Sequence, residues 1–532
     1  MKNYDDTHIK KITDYVQEAY VWAEEDNIID AAVNMNMKEI IDEVRLSKNT
    51  ISEKVNILHN LLKDEIKKFL LTYNKIELMI GLLELKTFLR TKMSGEYNGD
   101  YEIINRHEEI LYLIQIVLSS CENEFKNKSL IDGTKNLAMS FRFSYYYNVL
   151  SNNIEWFLSQ GHKVDTTTVD ISDFFKEGVF YTDSYNKYMD NALLISQIEN
   201  PDDMNIETLS IKEKVESKGI SKEKIKENID NIIKKYFNLC NLNEFVYWGL
   251  RQKPEKFLII KDKKEYFDLI KRKLDKSYDV FNSIIKTFSL NSLLNKKSLL
   301  NDLRHIELRS IFESENTIIF YPFDFIYNCS CFEKFMLRRH FVEYYSILLD
   351  VNKREELNKE LSKHEADIST YLAYVIADQL YINGYKLPME DGSPYAEVKS
   401  IVVNDRLNLL KDGNSTQGDI DVLALNDLKK EIYNIEIKYY KPLHNLRDIN
   451  SEHKIEERKK NIINPQKRAC ILKNNIKEVI NFLGGHVEDS DKYKVRTIFI
   501  TPRPDYWLFT DGKDIEYYTW VDFINEIKNK SI

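Results

Sequence analysis

Cysteine is sparse and unpatterned in this chain. Cys121, Cys240, Cys329, Cys331 and Cys470 follow no framework spacing, and their odd number fits a reducing compartment and excludes a disulfide scaffold. Cys329 and Cys331 form a C-x-C with no second Cys or His pair at zinc spacing, so they read as small buried hydrophobes and not as a metal site. Long apolar runs are missing as well. Charged residues interrupt each apolar segment before membrane-spanning length, and MKNYDDTHIKK has no apolar stretch behind its charges. Neither a transmembrane helix nor a secretory leader is expected, and a cytoplasmic location is. The chain has no G-x-x-x-x-G-K-(S/T) phosphate loop, which excludes an ATPase or helicase of that type. It shows no fixed-period repeat that would signal a solenoid. Its net charge of -9 argues against a protein that coats nucleic acid nonspecifically.

What is present divides by periodicity. A chain of 532 residues is long enough for more than one domain. From residue 1 to about 345, apolar residues recur at three- and four-residue spacing in KKITDYVQEAYVWAEED, Ile51 to Leu71, IELMIGLLELKTFL, EEILYLIQIVLSS and KNLAMSFRFSYYYNVLSNNIEWFL. This spacing predicts amphipathic helices. Strand-like pieces are few there, the clearest being TIIFYPFDFIY at 317–327, ahead of a helix through FEKFMLRRHFVEYYSILL. The polar stretch from Glu199 to Glu227 marks a boundary between two helical parts, giving regions 1–198 and 199–345. Residues 346–532 form a third region of mixed α/β pattern: SKHEADISTYLAYVIADQL reads as a helix ending at Asn383-Gly384, and AEVKSIVV, QGDIDVLAL, IYNIEIKYY, VRTIFITPRP and IEYYTW read as strands. VDFINEIKN closes the region as a helix.

QGDIDVLAL and IYNIEIKYY alternate apolar and polar residues with period two, and Asn426 to Lys430 supplies the turn between them. The pattern predicts adjacent strands, with Ile420 and Val422 inward and Asp419 and Asp421 on the polar face. Glu436 and Lys438, two apart, share one face of the second strand. Pairing brings Asp421, Glu436 and Lys438 into one cluster. Read from the residues alone, this is either a solvated charged triple or two carboxylate ligands for Mg²⁺ with an ammonium that orients water or steadies charge on a phosphate.

The Asp of GDID followed by E-x-K on the next strand resembles the PD-(D/E)xK nuclease superfamily, in particular its restriction-endonuclease-like and Holliday-junction-resolvase-like members. The resemblance covers residues 346–532 and implies a C-terminal α/β domain with a central mixed sheet behind a mostly helical N-terminal region. It implies a metal-dependent phosphodiesterase with Asp421, Glu436 and Lys438 as catalytic residues and Mg²⁺ or Mn²⁺ as cofactor. By the same resemblance the backbone carbonyl of Ile437 is a further metal ligand, and a Glu on the opening helix completes the site. Glu365 is the best match for that Glu, with Asp367 second; Glu365 lies nineteen residues before Gly384, further than in compact members, so an ordinary capping or solvated role stands beside it. Asn464-Pro465-Gln466 leads into KRACILKNNIKEVINFLG, which reads as a helix with Pro near its start and Gly484-Gly485 at its end. Gln466 matches a Gln that related families place near the scissile phosphate, and a surface Gln at a helix start is the other reading.

From Lys438 to Lys477 there are eleven Lys or Arg against four Asp or Glu. Lys441, Arg447, Lys454, Arg458, Lys459, Lys460, Lys467 and Arg468 are thus expected to contact a phosphate backbone, although SEHKIEERKK also fits a solvated mixed-charge helix. The expected function is hydrolysis of DNA, ahead of RNA, in a bacterial restriction or anti-phage setting. The N-terminal region would then sense the target or join a partner or second copy. Two other readings remain open: a catalytically silent nuclease fold that binds nucleic acid, and an interaction protein acting through its helices.

Overall fold

The computed structural model describes residues 6–47, 49–93, 101–160, 170–176, 205–239, 259–274, 278–294, 299–300, 302–315, 317–331, 342, 344–403, 407–412, 415–416, 418–438, 456–501 and 515–529. The chain forms two units. Met1–Tyr181, Ile233–Glu333 and Tyr344–Asp350 belong to one, and Thr182–Ile232, Lys334–Glu343 and Val351–Ile532 to the other.

The first unit opens with helices α1 (Asp6–Glu25), α2 (Asn27–Leu46), α3 (Ile51–Leu70), α4 (Lys75–Met93), α5 (Tyr101–Ser119) and α6 (Lys135–Gln160). In α3 the buried residues Val55, Leu58, Leu62, Ile66 and Leu70 form the apolar stripe that the spacing predicts. Its start is fixed by a reciprocal cap: the Glu53 amide donates to Thr50 Oγ1 and the Thr50 amide to Glu53 Oε2 at 2.9 Å. Helices α1 and α4 approach closely at Gly81, where a Cβ would lie 2.3 Å from Val16 Cγ2. Any side chain at 81 would push the two helices apart.

Farther along come β1 (Ile259–Asp262), α7 (Lys263–Leu274), α8 (Tyr278–Phe288), α9 (Leu303–Glu307), β2 (Ile311–Ser314), β3 (Thr317–Phe320) and α10 (Pro322–Cys331). The three strands pair antiparallel in the order β1-β3-β2. The strand expected at 317–327 stops at Phe320, because Pro322 opens a helix whose first turn needs no amide from it. Most of the helix expected just after it, 332–341 and 343, lies outside the described residues. Lys86 and Arg90, one turn apart on α4, both reach the buried Asp324 of α10. Lys86 Nζ is 2.9 Å from Oδ2, and Arg90 donates to Oδ1.

In the second unit, the polar stretch expected to separate two helical regions is itself packed. Ile211, Val215, Ile220 and Ile225 join the apolar cluster of Ile368, Leu372 and Val375. The buried carboxylate of Asp378 accepts from the Glu207 and Thr208 amides at 2.9 and 3.0 Å and from the Thr208 hydroxyl. The division at 198 and 345 therefore differs from the one found, since apolar residues four or five apart within a polar sequence tie this stretch to the C-terminal fold.

That fold begins with α11 (Val351–Ile382), which stops just before Asn383-Gly384 as expected. Where AEVKSIVV was expected as a strand, only Val402–Val403 is paired, to Leu407–Asn408, with an isolated bridge from Val398 to Ile420. The main sheet is mixed. Strands β4 (Val422–Asn426) and β5 (Glu431–Ile437) are antiparallel, and β6 (Lys494–Thr501) and β7 (Glu516–Thr519) extend the sheet in parallel in the order β4-β5-β6-β7. Helices α12 (Glu456–Asn474), α13 (Ile476–Phe482) and α14 (Trp520–Asn529) complete the layers. Val422, Ala424, Tyr433, Ile435 and Ile437 pack with residues of α11 and α14 on one face. Leu423, Leu425 and Ile432 pack with Leu472, Val479 and Ile480 on the other. The sheet is thus covered on both sides, and a polar group on it must find a partner inside. No described helix is long and apolar enough to cross a membrane.

Candidate active site

The expected hairpin forms, with the two strands antiparallel. Val422 stands opposite Ile435 and Asn426 opposite Glu431, and Asn426 Oδ1 closes the turn by accepting from the Leu428 and Lys429 amides. Continuing that register places Asp421 opposite Glu436. The alternation breaks at this point: Ile420 packs with Leu423 and Leu425, while Val422 packs on the other face with Ala424. Ile420 and Val422, expected on one face, are on opposite faces because the chain bends at Asp421. Gly418, at φ +79°, lies just before the bend, in a conformation that favours glycine. The bend lets the Asp421 carboxylate take the place of a ladder acceptor. The Ile437 amide donates to Asp421 Oδ2 at 2.7 Å.

Lys438 Nζ is 2.6 Å from Glu436 Oε1 and 3.7 Å from Asp421 Oδ2, so the three side chains meet. The other oxygen of Glu436 accepts from Arg468 on α12. Exposure is uneven: the Lys438 and Asp421 side chains keep 29% and 23% of their surface, against 6% for Glu436 and 3% for Arg468. The cluster therefore opens to solvent at Asp421 and Lys438 and is closed beneath by Glu436 and Arg468. Burial, and then the neighbouring Glu436 carboxylate, push Asp421 up to about 7, against the opposing pull of Lys438, the Ile437 amide and Arg468. Two carboxylates set this close form a pair whose charge a divalent cation would relieve.

The donor chemistry suits such a cation. Carboxylate oxygens are hard ligands, and Mg²⁺ characteristically takes one or two of them, with waters and phosphate oxygens filling its shell. Asp421 and Glu436 would hold it. The carbonyl of Ile437 is a further candidate, since the amide of the same residue already faces Asp421. Among the described residues no group of three or more His, Cys, Asp or Glu side chains is placed to hold a metal ion. Glu365 is accordingly not brought to Asp421 and Glu436; it lies half-buried on α11, as does Asp367, which burial pushes up. Asp419 is exposed.

The helix after E-x-K also differs from expectation. Pro465 is inside α12 and not near its start, because the helix begins at Glu456. Gln466 is consequently mid-helix and half-buried, with no tie to the acid pair, and Lys467 is exposed. Arg468, expected at the surface against phosphate, is buried and paired with Glu436. Pro465, Arg468, Ala469 and Leu472 are all buried, at the i, i+3, i+4, i+7 spacing of an inward stripe. An Arg on that stripe is the sequence signal that distinguishes it from its basic neighbours. Lys441, Arg447 and Lys454 lie outside the described residues, as do the side chains of Arg458, Lys459 and Lys460.

Two residues that pattern reading overlooked support the site. Asn434, buried on β5, donates through Nδ2 to the Pro465 carbonyl at 2.9 Å and so joins α12 to the sheet. Glu397 donates its amide to the Asp421 carbonyl at 2.8 Å, while its carboxylate accepts from Thr370 at 2.6 Å and pairs with Lys218 at 3.0 Å. Asp421 is therefore braced through its side chain by β5 and through its backbone by Glu397. No family model, no curated protein and no solved structure matches this chain.

Proposed function

We propose that the C-terminal unit is a metal-dependent nuclease of the restriction-endonuclease-like type, hydrolysing DNA phosphodiesters with Mg²⁺ or Mn²⁺. The observation that carries this reading is the convergence of Asp421, Glu436 and Lys438 at one bent hairpin, with the ammonium between the two carboxylates. A bound divalent cation supplies Lewis acidity toward the phosphate and lowers the pKa of water. Asp421 and Glu436 bind that cation. Lys438 Nζ, on the open side, holds the attacking water and offsets charge developing on the phosphate. A new bond forms from the water oxygen to phosphorus as that water gives up a proton to solvent, the ester P–O bond breaks, and the leaving oxygen takes up a proton from solvent. Arg468 keeps Glu436 in a single orientation, and the Ile437 amide does the same for Asp421.

One feature favours a second reading. Both oxygens of Glu436 are engaged by cationic side chains, an arrangement equally suited to a self-neutralised fold that binds nucleic acid without cutting it. Incubating the full chain with plasmid DNA, linear DNA or RNA in Mg²⁺, Mn²⁺ or EDTA separates the two. Metal-dependent cleavage that Asp421→Ala and Lys438→Ala each reduce by about a hundredfold or more supports the nuclease. Salt-sensitive binding with no cleavage in either metal supports the silent module.

A further inference from the structure

The helical first unit holds a cavity of about 560 Å³, a size typical of small-molecule sites. Lys263 at the start of α7, Asn282 and Lys286 one turn apart on α8, Ser292 and Glu313 of β2 provide its polar wall. Ile285, Ile347 and Leu348 provide an apolar one. Lys263 pairs with Glu313 at 2.8 Å, and the other oxygen of Glu313 accepts from Ser289 at 2.6 Å. Lys286 is exposed at the cavity, and no hydrogen bond or ion pair joins it to the described residues.

Directly behind Ser292 is Arg309, whose side chain is fully buried. Its Nε donates to Ser292 Oγ at 3.2 Å and its Nη1 to the His305 carbonyl at 2.7 Å, while Nη2 has no hydrogen-bond partner. The Arg309 guanidinium lies 5.1 Å from the Tyr345 ring, and Glu313 in the cavity wall is already paired with Lys263. An aromatic face offsets only part of the charge of a buried guanidinium. Among the residues that line the cavity, Lys263 and Lys286 stand against Glu313 alone, and Arg309, one residue behind Ser292, adds a further positive charge. Two lining ammonium groups backed by a guanidinium suit a phosphate monoester, which carries roughly -1.5 to -2 near neutral pH, better than a single carboxylate. The apolar wall and the volume leave room for an organic body attached to the phosphate.

We propose that this cavity binds a phosphorylated small molecule of sugar-phosphate to mononucleotide size. Lys286 and Lys263 contact the phosphate, Arg309 supports it electrostatically from behind Ser292, and the carbon skeleton lies against Ile285, Ile347 and Leu348. The site is independent of the nuclease reading.

The test is calorimetric titration and thermal shift of the full chain in EDTA at fixed ionic strength, with orthophosphate, ribose 5-phosphate and AMP, and with ribose and adenosine as phosphate-free controls. Saturable binding of ribose 5-phosphate or AMP is expected, tighter than that of orthophosphate, with none for the controls. Lys286→Gln, a change at an exposed position, should weaken binding about tenfold or more, and Asp421→Ala should leave it unchanged. The proposal is overturned if none of the three phosphates binds saturably. It is also overturned if binding is undiminished in both Lys286→Gln and Lys263→Gln, or if Asp421→Ala abolishes it.

Discussion

Arg468 donates to the Glu436 oxygen that Lys438 leaves open, and both partners of this pair are buried between α12 and β5. Removing one member of a buried pair strands the other, at a cost of about 3–5 kcal/mol. Arg468→Met should therefore lower the unfolding free energy of the C-terminal unit by about 3 kcal/mol in EDTA. Lys438 remains beside Glu436, which places the effect at the low end. Mg²⁺ or Mn²⁺ should restore part of the loss, because the freed carboxylate oxygen gains a cation. Urea denaturation of wild type and variant, with and without metal, measures both effects; equal destabilisation in metal and in EDTA would sink the link between Arg468 and metal binding at Glu436.

Protonation should weaken the helical unit through His59. Its ring stacks 4.3 Å from that of Tyr147, and Nε2 lies 3.2 Å from Ser151 Oγ. Burial, and secondarily Lys63, lowers the His59 pKa from 6.5 to about 4. In the unfolded chain the ring takes up its proton near pH 6.5, while in the folded chain it resists until about 4. The unfolded state thus binds more protons across that window, so the contribution is fully present above pH 6.5 and is lost as pH falls toward 4. His59→Gln should flatten the fall in stability between pH 6.5 and 4 in chemical denaturation. Parallel curves for wild type and variant would assign the dependence to other groups.

The parts of the fold that could be read from the sequence are those where one periodicity holds without interruption. The stripe from Val55 to Leu70 and the β4–β5 hairpin are of this kind, since burial enforces every third, fourth or second residue. The misplaced features lie where a local signal was overridden by the surrounding fold. Extrapolating period two through Ile420, Asp421 and Val422 assumed a continuous strand, whereas the chain bends at Asp421 and exchanges faces. Pro465 suggested a helix start, but α12 runs through it, with its carbonyl held by Asn434 across the layers. Arg468 looked like one basic residue among many. Its role depends on Glu436, thirty-two positions earlier, and no local pattern encodes that distance.

The acids of the candidate site can be separated by metal binding. Glu436 meets Lys438 and Arg468 at the hairpin, whereas Glu365 belongs to no described group of three potential metal ligands. Glu365→Gln should leave Mn²⁺ affinity, measured by calorimetry on the full chain, within about threefold of wild type, because it removes no carboxylate from the Asp421–Glu436 pair. Glu436→Gln should weaken it by about tenfold or more, since losing one of two hard anionic ligands removes both a bond and a unit of attraction. Asp421→Asn should match Glu436→Gln, and the double substitution should abolish measurable binding. Equal losses for Glu365→Gln and Glu436→Gln would mean that the opening helix supplies a ligand after all, which would require α11 to carry Glu365 to the hairpin when metal binds.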